Sequence, residues 1–145
     1  MPFTAEETAY LTSNPLARFA SLCAGGQPDV VPVALEFDGT RFWVGGPRAE
    51  VLETRKFRNV GHGRDKVAFV VDDLISVEPF VARGIRVYGV ADGPVERAGM
   101  VGPGHYLRIT PTVSWSWNLS DPPEPAGDAW YPMRRAEHSH GAQTA

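Results

Sequence analysis

The sequence is poor in cysteine and lysine and contains no long apolar run. Cys23 is the only cysteine among 145 residues, so no intrachain disulfide can form and the reducing cytoplasm is the expected compartment. No apolar stretch approaches the roughly 20 residues that span a bilayer, and the first residues lack the basic and apolar regions of a signal peptide. These absences predict a cytoplasmic protein that does not cross a membrane. Cys23 itself lies in an apolar run, which predicts a buried, inert thiol.

Motifs for the common catalytic and metal sites are also missing. The chain has no G-x-G-x-x-G fingerprint and no G-x-S-x-G elbow. Asp72 and Asp73 are adjacent on a predicted strand and should point to opposite faces, which argues against a shared acid–base role. His138 and His140 form a pair near the end of the chain, but such a pair is more often solvent-exposed than liganding, so no metal site is predicted. A chain without an obvious nucleophile favours chemistry that a bound cofactor supplies.

The charged residues are unevenly distributed. The whole chain carries 14 Lys and Arg against 17 Asp and Glu, a net charge of −3. The segment 48–66, in contrast, contains twice as many cations as acids. A local excess of positive charge on an acidic protein indicates a small anionic ligand, whereas nucleic acid needs a broad basic surface. The cations of this segment are Arg48, Arg55, Lys56, Arg58, Arg64 and Lys66, and its acids are Glu50, Glu53 and Asp65.

The strongest local signal is the basic stretch Thr54–Asn59. It follows an apolar run, Phe42–Gly46, that ends in two glycines. Thr54 is predicted to cap a short helix, so that the free N–H groups, the helix dipole and the side chains of Arg55 and Lys56 converge on one small volume. We interpret this stretch as a phosphate-binding site. The alternative is a solvated basic face.

The pattern of apolar residues and turn signals predicts a mainly β protein. Gly-Gly and Asp-Gly turns should join the first three strands into an antiparallel meander, and the basic helix should separate strands three and four. About six to seven antiparallel strands of this kind favour a small closed barrel, preceded by a capped N-terminal helix. The expected barrel domain covers residues 1–120 and a proline-rich tail covers 121–145. The predicted strands are 16–24, 29–37, 41–45, 66–72, 84–91, 106–109 and 112–117, with helices at 5–12 and 54–60 and a loop at 73–83.

Two tryptophans stand one residue apart near the end of the predicted barrel. Trp115 and Trp117 should face the same side of a strand. They could pack in the core, or they could form a wall for a flat conjugated ring in this subunit or in a partner.

Taken together and in this order, the motifs resemble the pyridoxamine-phosphate-oxidase-like flavin and deazaflavin oxidoreductases, which share the FMN-binding split β-barrel. The resemblance covers about residues 4–117 and is greatest to a short actinobacterial branch that uses the deazaflavin coenzyme F-420. The motifs that carry it are Leu16–Ala20, Gly26–Pro28, Val31–Val33, Trp43–Gly46, Thr54–Asn59, Val67–Val70, Gly84–Ala91 and Tyr106–Ile109. The segment 47–53 departs from that branch because it is longer and more charged than the usual link.

The resemblance implies a homodimer with two cofactor sites at the subunit interface. The cofactor phosphate would be held by Thr54, Arg55 and Lys56, with Asn59 nearby. The ring system would lie on a surface formed by Pro32, Val33, Val44 and Gly45. Trp115 of the partner subunit would close the site.

The resemblance also implies the activity. The expected reaction moves a hydride from reduced F-420 to an electron-poor double bond of a planar conjugated substrate, for example a tetracycline-type biosynthetic intermediate. Tyr88 or a water molecule could deliver the proton. An FMN-dependent oxidase or reductase remains an alternative within the enzymes, and a flavin- or haem-binding module without turnover remains an alternative outside them. Neither nucleic acid nor a membrane is an expected partner.

Overall fold

Two helices and eight strands follow one another along residues 2–139, the part of the chain that the computed structural model describes. Neither helix has the length and hydropathy needed to cross a bilayer. Short 3₁₀ turns at Ala24–Gly26 and Ala49–Glu53 complete the local structure. The helices are α1 (Ala5–Ser13) and α2 (Arg55–Gly61), and the strands are β1 (Leu16–Leu22), β2 (Pro28–Ala34), β3 (Glu36–Phe37), β4 (Phe42–Gly46), β5 (Lys66–Ser76), β6 (Val81–Gly99), β7 (Gly102–Trp117) and β8 (Arg134–Glu137).

The order of the strands rolls the sheet into a barrel. The sheet is antiparallel and reads β2-β1-β5-β6-β7-β4-β3, with β8 added to β7. Its two outermost strands, β2 and β3, are separated in the chain by Leu35 alone. The opposite edges must therefore meet at this residue, whose N–H donates to the carbonyl of Pro15 at 2.8 Å. The predicted fold class, a mainly β barrel with few helices, is confirmed.

Buried and exposed side chains alternate along the strands, and this alternation determines which residues lie inside the barrel. In β1, for example, Ala17 and Phe19 are completely buried, whereas Arg18 between them points outward. The same period of two recurs in β5 and β6, as expected for strands with one covered face. Large, fully buried apolar side chains from strands that are distant in the sequence form one core with Leu11 of α1 and Leu35 between β2 and β3: Phe19, Phe42, Val44, Val71, Ile85, Val87, Leu107 and Ile109.

The N-terminal helix closes one end of the barrel. Its predicted capping box is present, because Thr4 Oγ1 accepts from the Glu7 N–H and the Glu7 carboxylate accepts from the Thr4 N–H. The hydroxyl of Tyr10 donates to Asp73 Oδ1 at 2.6 Å, and Arg83 Nε donates to the same atom at 2.9 Å. Burial alone would raise the pKa of Asp73, but these two donors outweigh it and hold that pKa below its usual value.

The predicted meander of the first three strands is only partly correct, because β1 and β2 pair as expected across the Gly-Gly turn but β4 has another place in the sheet. β4 does not hydrogen-bond to β2; it pairs with β7 along its whole length, from Phe42 opposite Ile109 to Gly46 opposite His105. Only the two residues of β3 pair back onto β4 across the Asp38 turn. Contacts between distant segments therefore override the local hairpin signal.

The predicted loop at 73–83 and the predicted break at Pro111 are also wrong. β5 and β6 continue through the supposed loop, where Asp73 lies opposite Arg83 and is joined to it by an ion pair of 2.9 Å. β7 runs unbroken from Gly102 to Trp117. Pro111 is accommodated opposite Gly89, where the register between β6 and β7 shifts. A proline has no N–H to donate, and a sheet tolerates it at such an irregularity.

Part of the segment assigned to a tail returns to the sheet. β8 pairs with β7, and Trp115 lies opposite Arg135. Residues 140–145, the last part of that segment, lie outside the described residues.

Candidate functional site

The basic helix α2 forms as predicted, but its first residue does not act as a cap. Thr54 occupies the N-cap position with extended backbone, yet its side chain accepts no hydrogen bond from the helix. The hydroxyl instead donates to the carbonyl of Val51 at 2.7 Å. The preceding 3₁₀ turn explains this difference, because it brings the Val51 carbonyl, which also accepts the Thr54 N–H at 3.2 Å, within reach of the hydroxyl.

One side of α2 is anchored in the barrel and the other is free to meet a ligand. Phe57 and Val60 belong to the core. Asn59 is 3% exposed, and its Nδ2 donates to Ser21 Oγ at 2.9 Å, so its side chain ties the helix to β1. Arg55 and Arg58 lie on the exposed side. The helix thus presents its cations outward from a fixed position.

A concave surface of about 450 Å³ lies beside this exposed side, and we call it the cationic groove. It runs between α2 and the turn that joins β1 to β2. Three arginines and one histidine contribute to its wall, so an anion in the groove would meet positive charge from several directions. The lining residues are Cys23, Ala24, Gln27, Arg55, Arg58, Asn59, His62 and Arg64.

Among the described residues, the cations around α2 form no ion pair with a carboxylate. Six of the 12 arginines form ion pairs with carboxylates. Within residues 2–139, four of the remaining six flank α2, and Lys56 likewise makes no ion pair. Protein carboxylates therefore leave this charge uncompensated, as expected for a site that receives an anion. The four arginines are Arg48, Arg55, Arg58 and Arg64.

Lys56 has the most perturbed environment of these cations. The side chain is half-buried, and this burial lowers the pKa of its amine, while the nearby charge of Asp29 opposes the shift only in part. A bound anion would supply the missing countercharge and favour the protonated amine.

A second concave surface, of about 360 Å³, lies on the other side of Thr54 and is called here the glycine groove. Its wall is backbone at Gly45 and Gly46 of β4. A Cβ at Gly45 would lie 2.1 Å from the His105 carbonyl oxygen, and one at Gly104 would lie 2.1 Å from the Gly46 oxygen. Side chains there would push β4 and β7 apart. The lining residues are Ala34, Gly45, Gly46, Pro47, Arg48, Glu50, Val51, Thr54 and Val101.

The predicted phosphate-binding residues are divided between these two grooves. Thr54 lines the glycine groove together with Gly45, whereas Arg55 and Asn59 line the cationic groove. Arg48, which lies in the unusually long segment 47–53, contributes to the glycine groove. The structure thus brings a glycine-walled cleft and a cationic cleft together at the start of one helix.

The predicted ring-floor residues lie in different environments. Val33 and Val44 are 7% and 1% exposed and pack in the core, so only their backbone could meet a ligand. Pro32 points to the outer face of the sheet, opposite Arg18. None of the three lines either groove.

Trp115 also lies on the outer face of the sheet. The Tyr88 ring meets it edge to face, with 4.8 Å between centroids. Tyr88 in turn borders a third concave surface, of about 550 Å³, that we call the sheet-face groove. Its lining is mostly apolar and consists of Ala20, Ser21, Leu22, Pro28, Lys66, Val67, Ala68, Tyr88, Gly89, Val90 and Thr112.

Sequence reasoning missed three residues of the cationic groove. His62, Gln27 and Cys23 all come from the turns that flank α2 and β1, so the turn signals next to the basic helix could have located them. The prediction of a buried Cys23 is wrong. Its thiol is partly exposed and accepts a hydrogen bond from Asn59 Nδ2 at 3.7 Å, because β1 has already ended before it.

The histidine pair near the end of the chain is only partly described. His138 stacks on Phe3, and its Nε2 lies 2.9 Å from Ser114 Oγ. His140 lies outside the described residues. Among residues 2–139, no group of three or more His, Cys, Asp or Glu is arranged to hold a metal ion.

Comparison with curated proteins identifies a homologous reductase. The chain is 41% identical over 91 residues to the 5a,11a-dehydrotetracycline/5a,11a-dehydrooxytetracycline reductase of Streptomyces rimosus. The aligned region spans 63% of this chain and 63% of that enzyme, somewhat less than two thirds of its length. No protein-family model matches the sequence.

Solved structures with the same fold are more distant in sequence. An F-420 reductase is 16% identical with a TM-score of 0.57, over 77% of this chain and 98% of the other. A Clostridium acetobutylicum protein of the pyridoxinephosphate oxidase family is 12% identical with a TM-score of 0.59, over 91% and 92%. A heme binding protein from Mycobacterium smegmatis is 12% identical with a TM-score of 0.63, over 94% and 59%. The chain is thus a split-barrel protein with the pyridoxamine-5'-phosphate-oxidase-like fold, homologous in sequence to a streptomycete dehydrotetracycline reductase.

Proposed function

We propose that this protein is a reductase that uses the deazaflavin coenzyme F-420 to reduce an electron-poor double bond of a planar conjugated substrate. The observation that carries the proposal is the set of uncompensated cations around α2, next to a cleft walled by glycine backbone. The homologous dehydrotetracycline reductase and the F-420 reductase of the same fold support it. The substrate class follows from the first of these relatives, whose named substrates are planar and conjugated.

The residues present fit an anionic, extended cofactor. F-420 carries a phosphodiester and a glutamyl tail, and it therefore needs positive charge over a long distance. Arg55 and Arg58 in the cationic groove and Arg48 in the glycine groove supply charge on both sides of Thr54. Lys56 adds a partly desolvated amine, which binds an anion more strongly than an exposed one. When bound, the reduced deazaflavin supplies the hydride.

The glycine groove suits the approach of a flat ring. Gly45 and Gly46 carry no side chains, so a ring can lie directly against the strand. Ala34 and Val101 add small apolar surfaces to the same cleft and exclude water from it. We assign ring binding to this groove, with Gly45 as its central residue.

A second subunit completes the site in this proposal. The outer sheet face exposes large apolar side chains, among them Leu22 at 43%, Val30 at 64% and Tyr88 at 45%. Monomeric proteins rarely leave such a continuous apolar face in water. We infer that two copies pack through this face, so that Trp115 of one copy meets the cofactor site of the other. Tyr88, next to Trp115, is the candidate proton donor, and its hydroxyl borders the sheet-face groove.

Fluorescence titration with F-420 tests the proposal directly. The purified protein is titrated in parallel with F-420, FMN and haemin, and the three affinities are compared. We expect F-420 to bind most tightly. We also expect the protein to reoxidise reduced F-420 when a dehydrotetracycline is present. Tighter binding of FMN, with a yellow protein after purification, would assign an FMN-dependent oxidoreductase instead. A Soret band on adding haemin, without turnover, would assign a haem-binding module.

A further inference from the structure

Arg86 occupies a distinctive position on the outer sheet face. It projects from β6 between Val70 of β5 and Trp115 of β7. Its guanidinium carbon lies 4.1 Å from the centroid of the Trp115 ring and 5.6 Å from that of Tyr88. The aromatic pair therefore holds the cation in place without using its N–H donors.

Arg86 is also a surplus charge. Among residues 2–139 it has neither a hydrogen-bond partner nor a carboxylate partner, and it lies apart from the cations around α2. The two acids closest to it on this face are already paired: Asp72 with Arg18 at 2.9 Å, and Glu137 with Arg135 at 3.0 Å. Three arginines thus face two carboxylates, which leaves Arg86 uncompensated; a further cation of this face, Lys66, lines the sheet-face groove.

The residues around Arg86 indicate which kind of ligand could compensate its positive charge. Tyr88 belongs both to the aromatic pair and to the lining of the sheet-face groove, so it stands between the groove and Arg86, which is not itself a lining residue. In the dimer proposed above, a flat apolar molecule would be enclosed between this groove and the second copy, with one edge at the tyrosine. Its end toward Arg86 would have to be anionic and rich in oxygen, because a guanidinium binds a pair of oxygens most strongly.

We propose that Arg86 is a substrate-recognition residue that binds the ionised oxygen edge, an enolate or phenolate, of a planar conjugated substrate. This inference rests on the proposed function, since it assigns a substrate contact to the same reductase. It separates two kinds of anion recognition in the protein: the cations around α2 bind the cofactor, and Arg86 binds the substrate. If two copies pack as proposed above, Arg86 enters the partner's site together with Trp115, on which it stacks.

The test uses two naphthoquinone probes that differ in one acidic group. Lawsone carries a hydroxyl that is ionised at neutral pH, whereas menadione carries a methyl group there. Binding of each probe to the cofactor-free protein is followed by quenching of tryptophan fluorescence. We expect the wild type to prefer lawsone by about tenfold or more, the gain typical of a charge-assisted hydrogen bond. Arg86→Gln should remove the preference and Arg86→Lys should keep part of it.

The double variant Arg18→Gln/Asp72→Asn is the matched control, because it removes an ion pair from the same sheet face without freeing a carboxylate beside Arg86 and without touching Trp115. It should keep the lawsone preference. A wild type without preference, or an Arg86→Gln variant that retains it, would overturn the inference.

Two further measurements on Arg86→Gln exclude other roles. Its F-420 affinity should stay within about twofold of wild type, and its mass by light scattering should not change. A tenfold loss of F-420 affinity would mean that Arg86 binds the cofactor, and a monomeric variant would mean that Arg86 is needed to hold the two copies together; either result overturns its assignment to the substrate. If the wild type itself fails to bind F-420, the proposed function fails, whereas a wild type that binds F-420 but shows no lawsone preference refutes only the role of Arg86.

Discussion

Arg134 donates from Nη1 to both carboxylate oxygens of Glu7, at 2.9 and 3.2 Å, and thereby fastens the last strand to the first helix. The Glu7 side chain is only 2% exposed, while that of Arg134 is 36% exposed. Ser116 and the Thr4 N–H donate to the same carboxylate. The two ends of the described chain thus share one buried anionic centre that closes the barrel.

Arg134→Ala should be markedly destabilising. It leaves a buried carboxylate without its cation, and we expect a loss of about 2–4 kcal/mol in the free energy of unfolding, somewhat below the cost for a fully buried pair. Chemical denaturation of both proteins measures the difference. The neighbouring Arg135→Ala is the control: its pair with Glu137 is exposed, so the loss should stay within about 1 kcal/mol. Equal effects of the two substitutions would contradict the assigned role of Glu7.

Arg55→Ala and Lys56→Ala should each weaken F-420 binding by about one to two orders of magnitude. A charge-assisted hydrogen bond to a phosphate is worth roughly 1.5–3 kcal/mol, and about 1.4 kcal/mol corresponds to tenfold in affinity. The contacts are the same in ground and transition states, so the apparent KM should rise while kcat stays nearly constant. Fluorescence titration and steady-state kinetics measure the two quantities.

Arg41→Ala is the control for these two variants. Arg41 is another arginine without a carboxylate partner, but it donates to Thr110 on β7, away from α2. Its removal should leave F-420 affinity unchanged. If Arg55→Ala and Lys56→Ala also stay within twofold of wild type, the basic helix is only a solvated face.

F-420 affinity should fall at alkaline pH. The fall should begin at a lower pH than it would if Lys56 had the pKa of an ordinary lysine. In the proposed site the cationic amine of Lys56 binds the anion, and burial lowers its pKa in the free protein. Affinity is therefore full below that lowered pKa and declines as the pH rises through it, with proton uptake on binding in that range. Lys56→Gln should flatten this dependence of F-420 affinity on pH.

The stability of the unliganded protein should depend on pH in the opposite direction. The free energy of unfolding should increase as the pH rises through the same pKa, because the folded state binds fewer protons there than the unfolded state.

Val30→Glu should convert a dimer into monomers. Val30 is 64% exposed on the outer sheet face, so a charge there costs the monomer little but would be buried in the proposed contact. Light scattering should give twice 15.8 kDa for the wild type and 15.8 kDa for the variant. Met100→Glu, at the turn between β6 and β7, is a control at another exposed apolar residue, 46% accessible, and it should remain dimeric. A monomeric wild type at micromolar concentration refutes the subunit arrangement.

The sequence predicts the local features of this fold better than its long-range pairing. The Thr4–Glu7 capping box and the alternation around Ile85 and Val87 are local patterns, and both are confirmed. The pairing of β4 with β7 has no local signal, because it depends on where the whole sheet closes. For the same reason the pair Asp73 and Arg83 was assigned to a loop, although each residue compensates the charge of the other across two strands.

In the candidate site, too, the local features can be predicted from the sequence and the contacts between distant residues cannot. The run of cations around Thr54 locates α2, because charge clusters can be read directly from a sequence. Two details depend on neighbours that only the folded chain supplies. Thr54 bonds to the carbonyl of Val51, and the side chain of Asn59 is directed to Ser21. The lack of a carboxylate partner for Arg86 cannot be predicted from the sequence either. It depends on the ion pairs that the nearby acids form with Arg18 and Arg135 in the folded protein.

The pairing of Gly45 with Tyr106 has a consequence for how the protein is made. During synthesis, the wall of the glycine groove must wait for a strand made much later than β4, and α2, with only seven residues, gains its stability from packing on the sheet. Non-local pairing of this kind is slow, since a long loop has to close first. A nascent chain that stops before Tyr106 therefore lacks the cleft that we assign to the ring, and on this assignment cofactor loading must follow synthesis of the nearly complete chain.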